Sequence, residues 1–147
     1  MSAKAARDAG ETRLEIALRF PNGGALTRED LEVVEAIRKE RSILGASRAT
    51  GVSYRKCWLI VDALNRTFET PVFATHPGRR GGGAELTPFG ERLVALYESI
   101  GRRAGAQARA ALEELSAALN PNFAPRASGA AAEEPQALSP SRQSRRS

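Results

Sequence analysis

Leu14, Ile16, Leu18 and Phe20 alternate with Glu15, Ala17 and Arg19. A period of two predicts a half-buried strand, and Pro21-Asn22-Gly23-Gly24 ends it with turn residues. The period then changes. Thr27, followed three residues later by Asp30, predicts a helix N-terminus, and Leu31, Val34 and Ile37 continue at helical spacing to about Arg41. Ser42 is placed to cap a short second helix through Ile43, Ala46 and Ala49, which Gly51 ends by taking a left-handed backbone conformation. Ser53 caps a third helix reaching about Phe68. Along it Tyr54, Cys57, Trp58, Val61, Leu64 and Phe68 form an apolar stripe at steps of three and four, with Arg55, Lys56, Leu59 and Asp62 opposite.

Beyond Pro71, residues 72–75 read as a strand, His76 to Gly83 as a Gly/Arg-rich loop, and residues 84–86 as the returning strand of a hairpin with a flexible basic tip. Thr87-Pro88 opens another helix, with a cap and a first residue of fixed φ. Its apolar positions, from Phe89 through Leu93, Leu96 and Ile100 to Leu115 and Leu119, predict one helix of about 30 residues, roughly 45 Å long. Residues 1–13 and 120–147 lack apolar periodicity and read as a disordered arm and a disordered Pro/Ala/Ser/Arg tail. No internal repeat is visible. The expected fold is mainly α with a small β component: a winged helix-turn-helix over residues 14–87 and a long C-terminal helix over 88–119.

Composition narrows the function. The chain has 147 residues, 41% of them apolar, which is enough for one domain with tails. It contains no long uncharged apolar run and no apolar segment behind its first charges, so no membrane partner is expected and the expected location is the cytoplasm. With one cysteine, Cys57, and one histidine, His76, neither an intramolecular disulfide nor a His/Cys metal site is expected. Histidine-based catalysis is likewise not expected, because His76 lies in the Gly/Arg-rich loop. The net charge of +5 is unevenly spread: residues 45–83 hold six basic residues against two acidic ones. Such a concentration suits a polyanion, because each neutralised phosphate releases a condensed counterion. The plain alternative is a solvated basic face.

Three helices with a basic outer face and a basic hairpin after them give the pattern of a winged helix-turn-helix binding double-stranded DNA. Small Ala46 and Ala49 let the second helix approach the third, and Gly51 takes the sharp turn. Ser53, Tyr54, Arg55 and Lys56 then stand in the first turn of the recognition helix, where side chains and free amides meet phosphates and base edges. Arg55 is the expected base contact, Ser53 and Lys56 are expected phosphate anchors, and Leu59 is placed for a thymine methyl. In the wing, Gly81 and Gly82 allow close approach to the DNA backbone and Arg79 and Arg80 suit a narrow minor groove, while His76 at most touches phosphate. A nucleotide-binding loop is a poor fit, since no Gly-Lys-Ser/Thr ending follows the glycines. Cys57, Trp58, Tyr54 and Phe68 read as core. The long helix outruns a small domain, so a homodimer is expected, with Leu93, Leu96, Ile100, Leu112 and Leu115 at its interface.

The segment Gly51-Val52-Ser53-Tyr54-Arg55-Lys56-Cys57-Trp58, together with Asn65, resembles the helix start of the DNA-binding domain of the ModE family, the molybdate-responsive transcription regulators with a LysR-like winged helix. The run from Gly78 to Thr87, then Gly90-Glu91-Arg92-Leu93 and Leu96-Tyr97, is similar to that family's wing and following helix. The resemblance covers residues 14 to about 115. It implies a dimer joined by the long helix that binds operator DNA near molybdenum-related genes. Full-length family members continue into β-rich molybdate-binding domains. Here a short tail follows Asn120, so these residues give no ground for expecting molybdate binding.

Two other classes compete. One is an adaptor that heterodimerises with a full-length regulator through the long helix. The other is a small oxyanion sensor built on the Gly/Arg loop.

Overall fold

Thr27 and Asp30 start the first helix by a reciprocal pair of hydrogen bonds. The Asp30 amide donates to the Thr27 hydroxyl at 3.2 Å and the Thr27 amide donates to the Asp30 carboxylate at 2.9 Å. The computed structural model describes residues 10–126. Residues 10–13 of the expected arm and 120–126 of the expected tail carry no helix or strand, and the rest of both segments lies outside the described residues. In chain order the elements are β1 (Leu18–Arg19), β2 (Ala25–Leu26), α1 (Arg28–Glu40), α2 (Ile43–Thr50), α3 (Tyr54–Thr67), β3 (Phe73–His76), β4 (Gly83–Leu86), α4 (Pro88–Gln107) and α5 (Arg109–Ala117). The described chain is mainly helical with two small antiparallel sheets, β1 with β2 and β3 with β4.

The caps seen in the sequence act as expected. Ser42, Ser53 and Thr87 each accept a hydrogen bond from the amide three residues on, and Gly51 ends α2 at φ 81°. Arg41, at φ 59°, makes the corresponding left-handed end of α1 without being glycine. A non-glycine residue there is strained, and it lets Ser42 begin α2 at once.

Four expectations change. The strand foreseen from Leu14 shrinks to Leu18–Arg19, because its one partner, β2, is two residues long. Over the preceding residues a side chain replaces the ladder: the Tyr97 hydroxyl donates to the Ile16 carbonyl at 2.8 Å. His76 belongs to β3, opposite Gly83, and not to the loop. Ala49 is exposed, whereas Ala46 is fully buried in the core that α2 shares with α3. The helix foreseen over residues 88–119 is interrupted at Ala108 (φ −90°, ψ 2°). The ladder runs on across it, Ala108 donating to the Ala104 carbonyl at 3.0 Å and accepting from the Leu112 amide at 2.9 Å, on a stretch where no residue beyond Val94 is buried to support it. Gly101 and Gly105 weaken it further, by about 1 kcal/mol each relative to alanine.

One core unites the elements. Leu31, Val33, Val34 and Ile37 of α1 meet Ile43 and Ala46 of α2 and the inner face of α3. That inner face is Cys57, Ile60, Val61 and Leu64, so Ile60 joins the stripe while Trp58 and Phe68 pack at its margin. Tyr54 stays 40% exposed. Val72, Phe73 and Ala84 close the core from the hairpin, and Leu93 and Val94 from α4.

Asn65 fixes the passage from α3 into the hairpin. Its carboxamide oxygen accepts from the Val72 and Phe73 amides at 2.8 and 2.9 Å, and its NH2 donates to the Phe73 carbonyl at 3.1 Å. Both residues it serves are buried, and an amide left unpaired in such a place costs about 1 to 3 kcal/mol. Asn65→Ala is therefore expected to destabilise the fold by at least that much in a denaturant titration. A loss under about 0.5 kcal/mol would remove Asn65 from this role.

Burial raises the Tyr97 phenol above its ordinary pKa; Arg28 opposes the shift, and Glu15 and Asp30 add to it. The unfolded chain therefore ionises first. The contribution to stability is whole below pH 10.0 and is lost as pH rises through the higher folded value. Tyr97→Phe should flatten the alkaline fall of Tm above that pH and lower stability by about 0.5 to 1.5 kcal/mol at neutral pH. Parallel alkaline curves for the two proteins would count against the assignment.

Candidate nucleic-acid interface

The outer face of α3 is set by the same periodicity that buries its inner face. Arg55, Lys56 and Leu59 are exposed, Leu59 to 53%. Arg55 makes no ion pair among the described residues. Lys56 does: its Nζ lies 3.0 Å from Glu29 Oε1, at the start of α1. This pair is solvent-exposed and worth little, about 0 to 1 kcal/mol, so a phosphate competes for Lys56 at low cost. Ser53 Oγ accepts from the Lys56 amide at 3.1 Å, which leaves its hydroxyl proton free to donate outward. Arg55, Lys56 and Leu59 also line an open, shallow concavity of about 330 Å³ whose far wall is Ala25 and Asp30.

The hairpin connection is folded as two successive turns. The Arg79 amide donates to the His76 carbonyl at 2.9 Å and the Gly82 amide to the Arg79 carbonyl at 3.0 Å. This bonded path replaces the loose tip expected from the glycines. Gly81 and Gly82, at φ 75° and 73°, then turn the chain back onto the helices. Their carbonyls accept from the Leu44 and Ile43 amides, each at 2.9 Å, which are the first donors of α2. Gly82 is buried, and a Cβ on it would lie 2.9 Å from Trp58 Cζ2 and 3.1 Å from the Tyr54 hydroxyl. The structure thus sets these two glycines against protein. Their carbonyls are used internally.

The residues before these glycines are cationic. Arg79 Nη1 stands 3.8 Å from Glu85 Oε2 and His76 Nε2 3.9 Å from the same oxygen, long contacts between exposed side chains that hold neither in place. Arg80 is exposed and has no ion pair among the described residues. Since Gly82 rests on Tyr54 and Trp58, the cationic turn is rooted beside the first turns of α3. The structure therefore brings together Tyr54, Trp58, Gly81 and Gly82, with Arg79 and Arg80 next in the chain. Trp58, expected only as core, is a residue that periodicity alone does not connect to the hairpin.

Of the residues expected in a dimer seam, Leu93 is in the core, 7% exposed. Leu112 is half-buried and lines a groove with Thr12 and Leu14, where the Thr12 and Ser116 hydroxyls share a hydrogen bond. Leu96, Ile100 and Leu115 are exposed to 41%, 42% and 62%.

Cys57 is fully buried on the opposite side of α3, its Sγ 3.8 Å from the Val52 carbonyl. Burial pushes its thiol up from the ordinary range and Glu29 adds to the shift, so it stays protonated and unreactive at neutral pH. Among the described residues no cluster of three or more His, Cys, Asp or Glu is arranged to hold a metal, and no helix is long and apolar enough to cross a membrane.

No protein-family model matches the chain. It is 35% identical over 99 residues to the molybdenum transport protein ModE of Azotobacter vinelandii, covering 67% of this chain and 35% of that one. It is 40% identical over 79 residues to the molybdenum-pterin-binding protein MopB of Rhodobacter capsulatus, covering 53% and 29%. To the DNA-binding transcriptional dual regulator ModE of Escherichia coli K12 it is 31% identical over 71 residues, covering 48% and 27%. The chain thus spans about a third or less of the length of these relatives, whose names are those of regulators and of molybdenum-transport or molybdenum-binding proteins.

A thiol reagent added to the native protein at pH 8 should label Cys57 only as fast as the helices open, and at once in denaturant. Immediate labelling of the native protein would contradict its burial. With the geometry of the helices and hairpin in place, the similarity in sequence supports a relationship between this chain and the ModE regulators.

Proposed function

We propose that this chain is a ModE-type winged helix-turn-helix regulator that binds duplex DNA, with α3 as recognition helix, the β3–β4 hairpin as wing and α4–α5 as the dimer element. The observation that carries the reading is the cationic turn at Arg79 and Arg80, rooted beside the exposed start of α3 where Arg55 stands without an ion pair among the described residues. A helix start and a hairpin tip on one rim suit a major groove and the adjacent backbone or minor groove. Similarity to a relative named as a DNA-binding transcriptional regulator supports the same reading. Arg55 contacts a base edge, Leu59 meets a thymine methyl, and Ser53, Lys56, Arg79 and Arg80 hold phosphates.

The homodimer reading rests on the exposed apolar positions Leu96, Ile100 and Leu115, beside which Leu119 and Phe123 are 66% and 72% exposed. A second copy covering this stripe spaces two recognition helices for a palindromic site. Regulation of molybdenum-related genes comes from the similarity alone.

Selection from random duplexes followed by salt titration tests the proposal. The expected result is a palindromic consensus bound with a steep salt dependence. Weak, sequence-blind binding would overturn it and favour the adaptor that borrows its specificity from a partner regulator. Arg55→Ala should cost about 1 to 3 kcal/mol and relax preference at one position, whereas Arg79→Ala or Arg80→Ala should lower affinity uniformly and reduce the salt slope by about one. Equal sequence-blind losses for all three would refute this division.

A further inference from the structure

We infer that Tyr54 and Trp58 are positioning residues for the wing: they form a seat for the Gly82 backbone, so that the recognition helix and the wing engage DNA as one rigid unit. The inference rests on the DNA-binding reading and names the device that joins its two halves. Tyr54 lies in the first turn of α3 and Trp58 one turn further on, with ring centroids 6.3 Å apart and planes at 86°, edge to face. Gly82 fits against the Trp58 ring and the Tyr54 hydroxyl with no space for a side chain. Next to it, the Gly81 and Gly82 carbonyls are tied to the α2 amides and Gly83 bridges to Ser42. The wing is therefore held on one side by α2 and on the other by the aromatic pair. Two residues before Gly82 stands Arg80, whose place relative to Arg55 is fixed through this contact.

The arrangement explains a tyrosine that is 40% exposed on a helix whose remaining outer positions are charged or aliphatic. Its hydroxyl faces the wing backbone, so its contribution to binding passes through the wing. A wing released from the seat keeps its charges and loses their alignment. Its phosphate contacts then drop out together, not one by one.

The test uses the full chain and has two readouts. Trp58 is the one tryptophan of the sequence, so emission and acrylamide quenching of the free protein report the seat without DNA. Gly82→Ala introduces, at a positive φ that alanine tolerates poorly, a Cβ that meets the Trp58 ring and the Tyr54 hydroxyl, whereas Gly78→Ala, in the same connection, adds one in open space. Gly82→Ala should shift Trp58 emission to the red and increase quenching, and Gly78→Ala should leave both unchanged. In salt titrations on the selected duplex, removing Arg79 and Arg80 together should lower the slope by about two in the wild type and by little in the Gly82→Ala background. Where circular dichroism shows that Gly82→Ala does not fold, Tyr54→Ala takes its place. The same non-additivity with Arg79 and Arg80 then separates a seat from a direct phosphate contact, which gives additive losses. Unchanged Trp58 emission, or an equal drop in slope in both backgrounds, would overturn the inference. A wild-type protein with no salt-dependent duplex binding would instead remove the DNA reading, and Trp58 emission would still decide whether the wing is seated.

Discussion

Two backbone hydrogen bonds hold the hairpin to the helices: Ile43 and Leu44 donate to Gly82 and Gly81. The first amides of a helix have no partner within it, and in most helices water or a side chain takes them up. Here Ser42 caps one and a hairpin takes two more. The consequence spreads in both directions. The hairpin gains a fixed root although its strands have four residues each, and α2, only eight residues long, gains an anchor at the end where short helices fray. Beside them, the Ser42–Gly83 bridge and the buried Phe73 and Ala84 tie the same hairpin to the helices.

The same economy governs α3. One face supplies Cys57, Ile60, Val61 and Leu64 to the core, and the other stays free because Arg55, Leu59 and Asp62 fall a half-turn away. Asn65, at the boundary, spends its whole carboxamide on the chain that leaves the helix. The exposed face is therefore presented by residues that contribute almost nothing to stability. Substitutions there are expected to leave the fold intact.

Local signals were legible wherever a single turn decides the outcome. Thr27, Ser42, Ser53 and Thr87 announce helix starts because a short hydroxyl reaches its own third amide, and Gly51 announces a stop because its backbone tolerates a positive φ. What escaped depends on partners distant in sequence. Nothing local tells that Glu29 takes Lys56, that Gly82 lies under Trp58, or that Arg41 ends α1 in the left-handed region. The break at Ala108 escaped for the opposite reason. Apolar spacing continues through it, and so do the hydrogen bonds of Ala108 to Ala104 and Leu112, so a change confined to the dihedrals of one residue leaves no mark in the pattern. Leu93 shows the same limit: periodicity marks the apolar face of α4 and does not say which part of that face meets the core and which part meets solvent.

The contacts between residues 12–16 and the last two helices have a further consequence, for the order in which the chain assembles. Tyr97 reaches Ile16 across 81 positions and Ser116 reaches Thr12 across 104. Closing so long a loop is entropically costly, and such contacts form after local ones. On the ribosome, α1, α2, α3 and the hairpin are all made before Tyr97 has its place. Ile16 therefore waits for its Tyr97 partner through most of synthesis, and Leu14 stays exposed even in the folded chain, beside Glu11, Arg13 and Glu15, whose charges break up the apolar run. Alternating charge is a recognised guard for an edge that must stay unpaired until its proper neighbour arrives.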